Sequence, residues 1–434
     1  MSAPQGEGLV SASLVPDRDA TRFLLRLAHG LHSSGFPAHR LEATLDDAAV
    51  QLGVPAQFFS TPTSIFAAFG AAEEQRTHLI RVTPGTTDLG RLAELDRIAR
   101  DVMAERVTIR EGVRRIDSLL AEPVRWSRSA SLLAFVCVSL AVATFLRVQV
   151  IDVIVAAMLG LVAGLVNLWT STRPAWNDIA EPLTAGVVAT VAMALATVTG
   201  TGPGYATIIA GLVVLLPGMQ FTTGVIELST RHLSSGTARL AGALVTFLGL
   251  GFGVALGVQL GAGIGAVAVT MGWQWRPSNP ALPAWSEWVG LLIAPLCFTV
   301  LLRARRQDAP WIVAASVLAY ATTRLTGRVV DESLAAFLGA FVVSAAATVV
   351  ARLRATSSQV MTVPGLLILV PGSIGLRSMT SFSANQVVTG VETAFQVSVI
   401  AISLAAGLLA GRAVTSHLRW RDRASRTGEY PVLR

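Results

Sequence analysis

Lysine is absent from this 434-residue chain; all 34 basic residues are arginine, set against 27 acids for a net charge of +7. That bias speaks to genome composition and carries no mechanism. Charge of either sign is scarce, 14% of residues, while 52% are hydrophobic, which excludes an ordinary soluble enzyme. The only two cysteines, Cys137 and Cys297, lie inside apolar stretches, so neither a disulfide framework nor a Cys-His zinc spacing is on offer. No H-E-x-x-H signature and no phosphate-binding glycine loop occurs, so ATP-driven transport has no support. His29, His32, His39 and Glu42 are split by Gly35-Phe36-Pro37, which favours solvent-facing or capping roles over a metal or hydrolase site. The segment up to Asp19 is polar with no apolar core, so no cleaved signal peptide is expected.

What is present is a series of apolar runs long enough to cross a bilayer. Ten spans are predicted, roughly 129–146, 150–169, 182–200, 204–226, 237–259, 287–302, 310–324, 332–351, 359–380 and 385–410. The loop from Trp273 to Trp288, with three prolines and four tryptophans, is an aromatic interfacial cluster that divides five spans from five. Ahead of them, residues 17–123 read as a small α/β domain. Phe23, Leu24, Leu27 and Leu31, then Leu41, Leu45, Ala48, Ala49 and Leu52, recur at helical spacing; short β-branched and aromatic stretches follow from Gln57 to Phe69 and Thr77 to Thr83; from Asp88 two more amphipathic helices lead toward the membrane. The expected organisation is a disordered terminus 1–16, this domain at 17–123, a first membrane repeat at 124–271, a loop at 272–286, a second repeat at 287–411 and a basic tail at 412–434. Arginines are biased to the loops on the domain's side and to the tail, which places both termini in the cytoplasm.

Two stretches carry a shared irregularity. Residues 211–218 read G-L-V-V-L-L-P-G and residues 365–372 read G-L-L-I-L-V-P-G, 154 positions later. In lipid every backbone N–H and C=O needs a partner, so a Pro-Gly interruption at membrane depth survives only where it is buried in protein or lines a cavity. Five spans per copy, an odd number, makes the second copy enter from the opposite face. The predicted fold class is therefore an α-helical polytopic membrane protein: ten transmembrane helices as two inverted five-helix repeats, with a small N-terminal α/β cytoplasmic domain.

At Pro217-Gly218 and Pro371-Gly372 the missing proline N–H and the permissive glycine leave carbonyls on one side and a fresh helix N-terminus on the other, ends that suit a zwitterion. Gln220, Thr222 and Thr223 after the first break, and Ser373, Arg377, Ser378 and Thr380 after the second, are candidate polar contacts to a small solute, as is Gln396. A packing kink with interhelical Ser/Thr bonds is the plain alternative. Glu392, inside the tenth span with Gln396 one turn on, is the first candidate for proton coupling through a desolvated carboxyl; an ion pair with Arg377 competes. Glu227, Asp178, Glu181, Asp331 and Glu332 read as interfacial gate or vestibule residues, although acids also cap helix N-termini. Gly249, Gly253, Gly257, Gly261 and Gly265 give the fifth span a smooth packing face that runs beyond one crossing.

The run Leu25–Gly53 (L-R-L-A-H-G-L-H-S-S-G-F-P-A-H-R-L-E-A-T-L-D-D-A-A-V-Q-L-G), the L-L-P-G-M-Q of Leu215–Gln220 and the L-V-P-G-S of Leu369–Ser373 resemble the threonine/serine exporter family of bacterial inner-membrane proteins. The likeness covers nearly everything from about residue 20 to 411. It implies ten spans, a cytoplasmic N-terminal domain, the bacterial inner membrane, and export of small hydroxy-amino acids driven by the proton gradient, with no cofactor. The implied partners are a small polar amino acid, protons and the bilayer, with no nucleic acid; self-association stays open. Similar systems export dicarboxylates, so a dicarboxylate exporter is one alternative, and a membrane-anchored enzyme with its chemistry in residues 20–123 is the other.

Overall fold

The structure, a computed structural model, describes residues 18–70, 74–83, 85–146, 148–200, 204–275, 280–354, 356–370, 372, 375–376 and 387–416. The chain divides into two compact units: residues up to 87 with 94–122, and residues 88–93 with everything from 123 onward.

The first unit contains helices α1 (Arg18–Ser33) and α2 (Ala38–Gln51), strands β1 (Ala56–Thr61), β2 (Ser64–Phe69) and β3 (Arg76–Arg81), most of α3 (Leu89–Met103), and α4 (Ile109–Ala121). The Gly-Phe-Pro break works as its residues require: Gly35 takes φ +82°, the Phe36 N–H closes on the Leu31 carbonyl at 3.1 Å, and Pro37 opens α2 from an extended backbone. The strands form an antiparallel sheet in the order β1-β2-β3, with Thr61 opposite Ser64 across a two-residue turn. Ile65, Ala67 and Phe69 alternate inward on β2 and join a core that includes Phe23, Leu24, Leu27, Leu41 and Leu45, the helical stripes legible in the sequence. Asp88 caps α3, its carboxylate accepting the Arg91 N–H at 2.8 Å, and Thr108 caps α4 by accepting from Glu111 N.

The second unit is all helical: α5 (Arg128–Phe145), α6 (Val150–Ser171), a short α7 (Pro174–Asn177), α8 (Ala180–Thr199), α9 (Tyr205–Leu212), α10 (Gly218–Ser229), α11 (Leu233–Thr270), α12 (Ser286–Leu301), α13 (Ala309–Thr326), α14 (Glu332–Arg354), α15 (Gln359–Leu369) and α16 (Val387–Ser416). Among the described residues six helices are long and apolar enough to cross a membrane, and α9 with α10, bent by 60° at their junction, add a seventh as one broken span. The sequence predicts ten. Within the described residues, α12 is apolar but only 16 residues long and α13 carries Ser316, Tyr320, Thr322, Thr323 and Arg324 among its 18, while the ninth predicted span, 359–380, runs past α15 into residues outside the described ones. The fifth apolar run, by contrast, is one 38-residue helix that extends well past a single crossing.

Helix α6 packs against α5, α8 and α9, and α8 against α11; α13 packs against α12, α14 and α15, and α14 against α16. Glycines make the closest of these seams. Gly253 and Gly257 of α11 lie on the backbone of α8 at Pro182 and Gly186, while Gly407 and Gly411 of α16 lie on the backbone of α14 at Phe337 and Phe341. The two glycine pairs are 154 residues apart, the offset that separates the Pro-Gly pairs.

Candidate functional site

The residue before a proline is driven out of the helical region by the ring, and both interruptions obey this. Leu216 adopts φ −66°, ψ 126° and Val370 φ −67°, ψ 131°, so α9 with its terminal 3-10 turn (Val213–Leu215), and α15, both end in one extended residue ahead of a proline. Pro217 lies within the described residues and opens α10, its carbonyl accepting from Phe221 N at 2.9 Å. Pro371, Ser373, Arg377, Ser378 and Thr380 lie outside the described residues.

The two breaks touch. A Cβ built on Gly218 would lie 3.1 Å from Gly372 Cα and 3.2 Å from its nitrogen, and closer still to a Val370 methyl; one built on Gly372 would lie 3.2 Å from Leu216 Cβ. Chain segments beyond the breaks then cross over. Ile226 of α10 is buried among Ala336, Ala340, Leu366, Ile400 and Leu404 of α14, α15 and α16. Reciprocally, Leu376 is buried among Ala185, Val188, Leu212 and Leu250 of α8, α9 and α11, with Gly375 against the Phe247 ring. Each broken span therefore starts in one half of the unit and finishes in the core of the other.

Of the polar residues expected to serve these breaks, Thr222 sits one turn past Gly218 on the same face of α10 and is 0% exposed, and its Oγ1 has no hydrogen-bond partner among the described residues. Thr223 is buried beside it. Gln220 turns away: it is exposed and its amide reaches the Arg239 carbonyl on α11 at 3.4 Å. Gln396 is exposed on α16 and donates to Glu332 Oε2 at 2.8 Å, so that pair ties α16 to α14.

The acids take different positions. Val397, Ile400, Ala401 and Leu404 form the buried face of α16, and Glu392 falls with Val388, Val391 and Phe395 on the face that no other described helix covers. Glu227, expected near the membrane interface, is 0% exposed because α11 folds back along α10; Arg239 Nε donates to Oε1 and Oε2 at 3.1 and 3.0 Å and Ser235 Oγ to Oε2 at 2.7 Å. Asp331 is a helix cap, accepting the N–H groups of Ser333 and Leu334, while Asp178 is exposed at the end of α7 and Glu181 half-buried in the first turn of α8. In the first unit His32 is buried, its Nε2 2.7 Å from the Thr61 carbonyl, and Glu42 accepts the Ser60 N–H at 2.7 Å, so both tie helices to β1 instead of facing solvent. Among the described residues no group of metal-ligating side chains comes together.

One acid is absent from the sequence-derived candidates. Glu287, 7% exposed in the first turn of α12, accepts the Tyr320 hydroxyl at 2.7 Å and lies 3.4 Å from Arg324 Nη2, both on α13. The available signal was a lone acid opening an otherwise uncharged apolar run, with Tyr and Arg four apart on the next helix.

Comparison with known proteins bears on the whole chain. Residues 22–261 match the family model described as "Putative threonine/serine exporter", and residues 287–414 match "Threonine/Serine exporter, ThrE". Curated relatives include "Pheromone-regulated membrane protein 10" of Eremothecium gossypii, 24% identical over 95% of this chain and 58% of the relative, and proteins of that name from Candida albicans (26%, 87% and 34%) and Saccharomyces cerevisiae (24%, 86% and 49%). The chain thus spans about half the length of the curated relatives it matches. No solved structure matches it.

Proposed function

Because the chain belongs to the threonine/serine exporter family, we propose that it is a secondary transporter that exports threonine, serine or a similar small polar amino acid from the cytoplasm, driven by the proton gradient. The single observation that carries this reading is the contact between Gly218 and Gly372, where two interrupted spans meet inside one bundle. The N–H groups opening α10 offer positive partial charge to a carboxylate, the carbonyls closing α9 and α15 offer negative partial charge to an ammonium, and the unpartnered Thr222 hydroxyl supplies a directional contact to a side-chain hydroxyl. The repeated offset of the Pro-Gly and glycine seams supports two five-helix repeats of inverted orientation around that point, rocking to expose it to each side in turn. On this reading the membrane is the bacterial inner membrane with both termini inside, and no cofactor is needed.

The test is flux in proteoliposomes with labelled serine, threonine and a dicarboxylate panel under an imposed pH gradient. Serine or threonine efflux that collapses with an uncoupler is expected, and no amino-acid flux in either direction would overturn the reading. Thr222→Val keeps shape and removes the hydroxyl; it is expected to weaken serine transport about tenfold while leaving thermal stability near that of wild type.

A further inference from the structure

The proton needs a place to bind, and the sequence-derived candidate Glu392 lies on the uncovered face of α16, with no described arginine beside it. Among the described residues of the helical unit, two acids are buried and paired with an arginine on a different helix, Glu227 and Glu287. Glu227 sits in the hairpin of two consecutive helices, with Arg239 and Ser235 both on the returning helix α11, which makes it a local clasp. Glu287 joins elements that pack side by side. Its side chain leaves the first turn of α12 and meets α13, where Tyr320 and Arg324, one turn apart, both address Oε2. The Tyr320 ring is itself held between Phe145 of α5, 5.6 Å centroid to centroid, and Trp288 of α12 at 6.1 Å.

Helix α12 packs against α5 and α13. From α13 the ionisable groups facing Glu287 are Tyr320 and Arg324; α5 presents Phe145 and Thr144, which carry no charge, and Asp152 at the start of α6 accepts from Gln149 N of its own helix. Among the described residues the carboxylate faces one partly exposed guanidinium and one phenol in an aromatic setting, so adding a proton weakens the charge attraction to Arg324 and changes what Tyr320 donates to. That change has a route to the breaks. Helix α13 packs against α15, with the Ala315 carbonyl 3.5 Å from a Cβ built on Gly365, and α15 ends at Val370 against Gly218.

We infer that Glu287 is the proton-binding site of this transporter: its carboxylate takes up one proton when the bundle opens to the external side, forming the neutral acid and loosening the α12–α13 clamp, and releases that proton to the cytoplasmic side when the bundle reopens inward. The inference rests on the transport reading above. A purely structural ion pair would leave coupling and pH dependence where they are once the protein has folded.

The test compares Glu287→Gln with wild type in proteoliposomes, measuring serine efflux driven by a pH gradient and serine–serine exchange at equal pH. Expected is a loss of gradient-driven efflux of about tenfold or more with exchange retained, because the amide mimics the protonated acid and breaks only the link to the proton. Gradient-driven efflux of Glu287→Gln equal to wild type overturns the assignment. If that variant loses both modes, Tyr320→Phe decides: a displaced pH dependence of efflux with intact exchange supports Glu287, and an unmoved pH dependence overturns it. Wild-type protein that carries no amino acid would overturn the transport reading itself, a result separate from either of these.

Discussion

Replacing Gly218 with alanine should be far more damaging than the same change at Gly372, although the two glycines touch. A methyl on Gly218 would meet Gly372 Cα at 3.1 Å and N at 3.2 Å, and a Val370 methyl closer still. Backbone atoms cannot rotate aside, so the two breaks must separate by several tenths of an ångström or α10 must tilt. Overpacking of this kind costs roughly 1–3 kcal/mol. A methyl on Gly372 meets Leu216 Cβ at 3.2 Å, Leu216 Cδ1 at 3.5 Å and Gly218 Cα at 3.7 Å, so a shift of a few tenths of an ångström relieves the tightest contact, for about 1 kcal/mol or less. Thermal unfolding of the detergent-solubilised protein reads the stability difference, and labelled-serine flux reads the site. Gly218→Ala is expected to lower both, with flux falling about tenfold, since a reacting or binding geometry displaced by a fraction of an ångström to one ångström loses that much or more. The double variant should cost less than the sum of the two, because once the breaks are apart the second methyl has room. Gly218→Ala with wild-type stability and flux, or Gly372→Ala as the more harmful change, would refute the reasoning.

Two further outcomes follow from other contacts. Gly257→Val and Gly411→Val should destabilise by similar amounts, roughly 1–3 kcal/mol each, because a Cβ on Gly257 already lies 2.8 Å from Ala189 Cβ and 3.0 Å from Thr190 N, and one on Gly411 lies 2.9 Å from Ser344 Cβ and 3.1 Å from Ala345 N; a loss confined to one of them, read by thermal unfolding, would count against two equivalent repeats. In the first unit, burial and then the neighbouring Arg26 hold the His29 imidazole below its ordinary 6.5, so the folded state binds that proton less firmly than the unfolded one. The stability from neutral His29 is therefore complete above about pH 6.5 and is lost as pH falls through the lowered value; hydrogen exchange of α1 amides in the full chain should quicken on acidification, and His29→Gln should flatten that response. An unchanged acid response in His29→Gln would refute it.

The chain's chemistry is legible in one dimension wherever the determinant is local. Prolines 217 and 371 dictate the backbone of the residue before them whatever the fold, so the first break could be placed to the residue and the second to Val370. The helical stripes of α1 and α2, the Gly35-Phe36-Pro37 stop, the Asp88 cap and the three short strands are likewise set by spacing, φ preference and side-chain reach within a turn. The apolar runs and the glycine ladder of α11 belong to the same class. Which acid is buried does not. Glu392 reads as buried because it is inside an apolar run, but the phase of α16 puts it on the face no other described helix covers; Glu287 looks like an ordinary first-turn acid until Tyr320 and Arg324, 33 and 37 positions later, close over it. Periodicity says which residues share a face; only the packing of another helix says whether that face is covered. The meeting of Gly218 with Gly372 and the exchange of segments between the two halves are long-range contacts of the same kind, decided by how whole helices stack and by where glycine lets two backbones come within van der Waals reach.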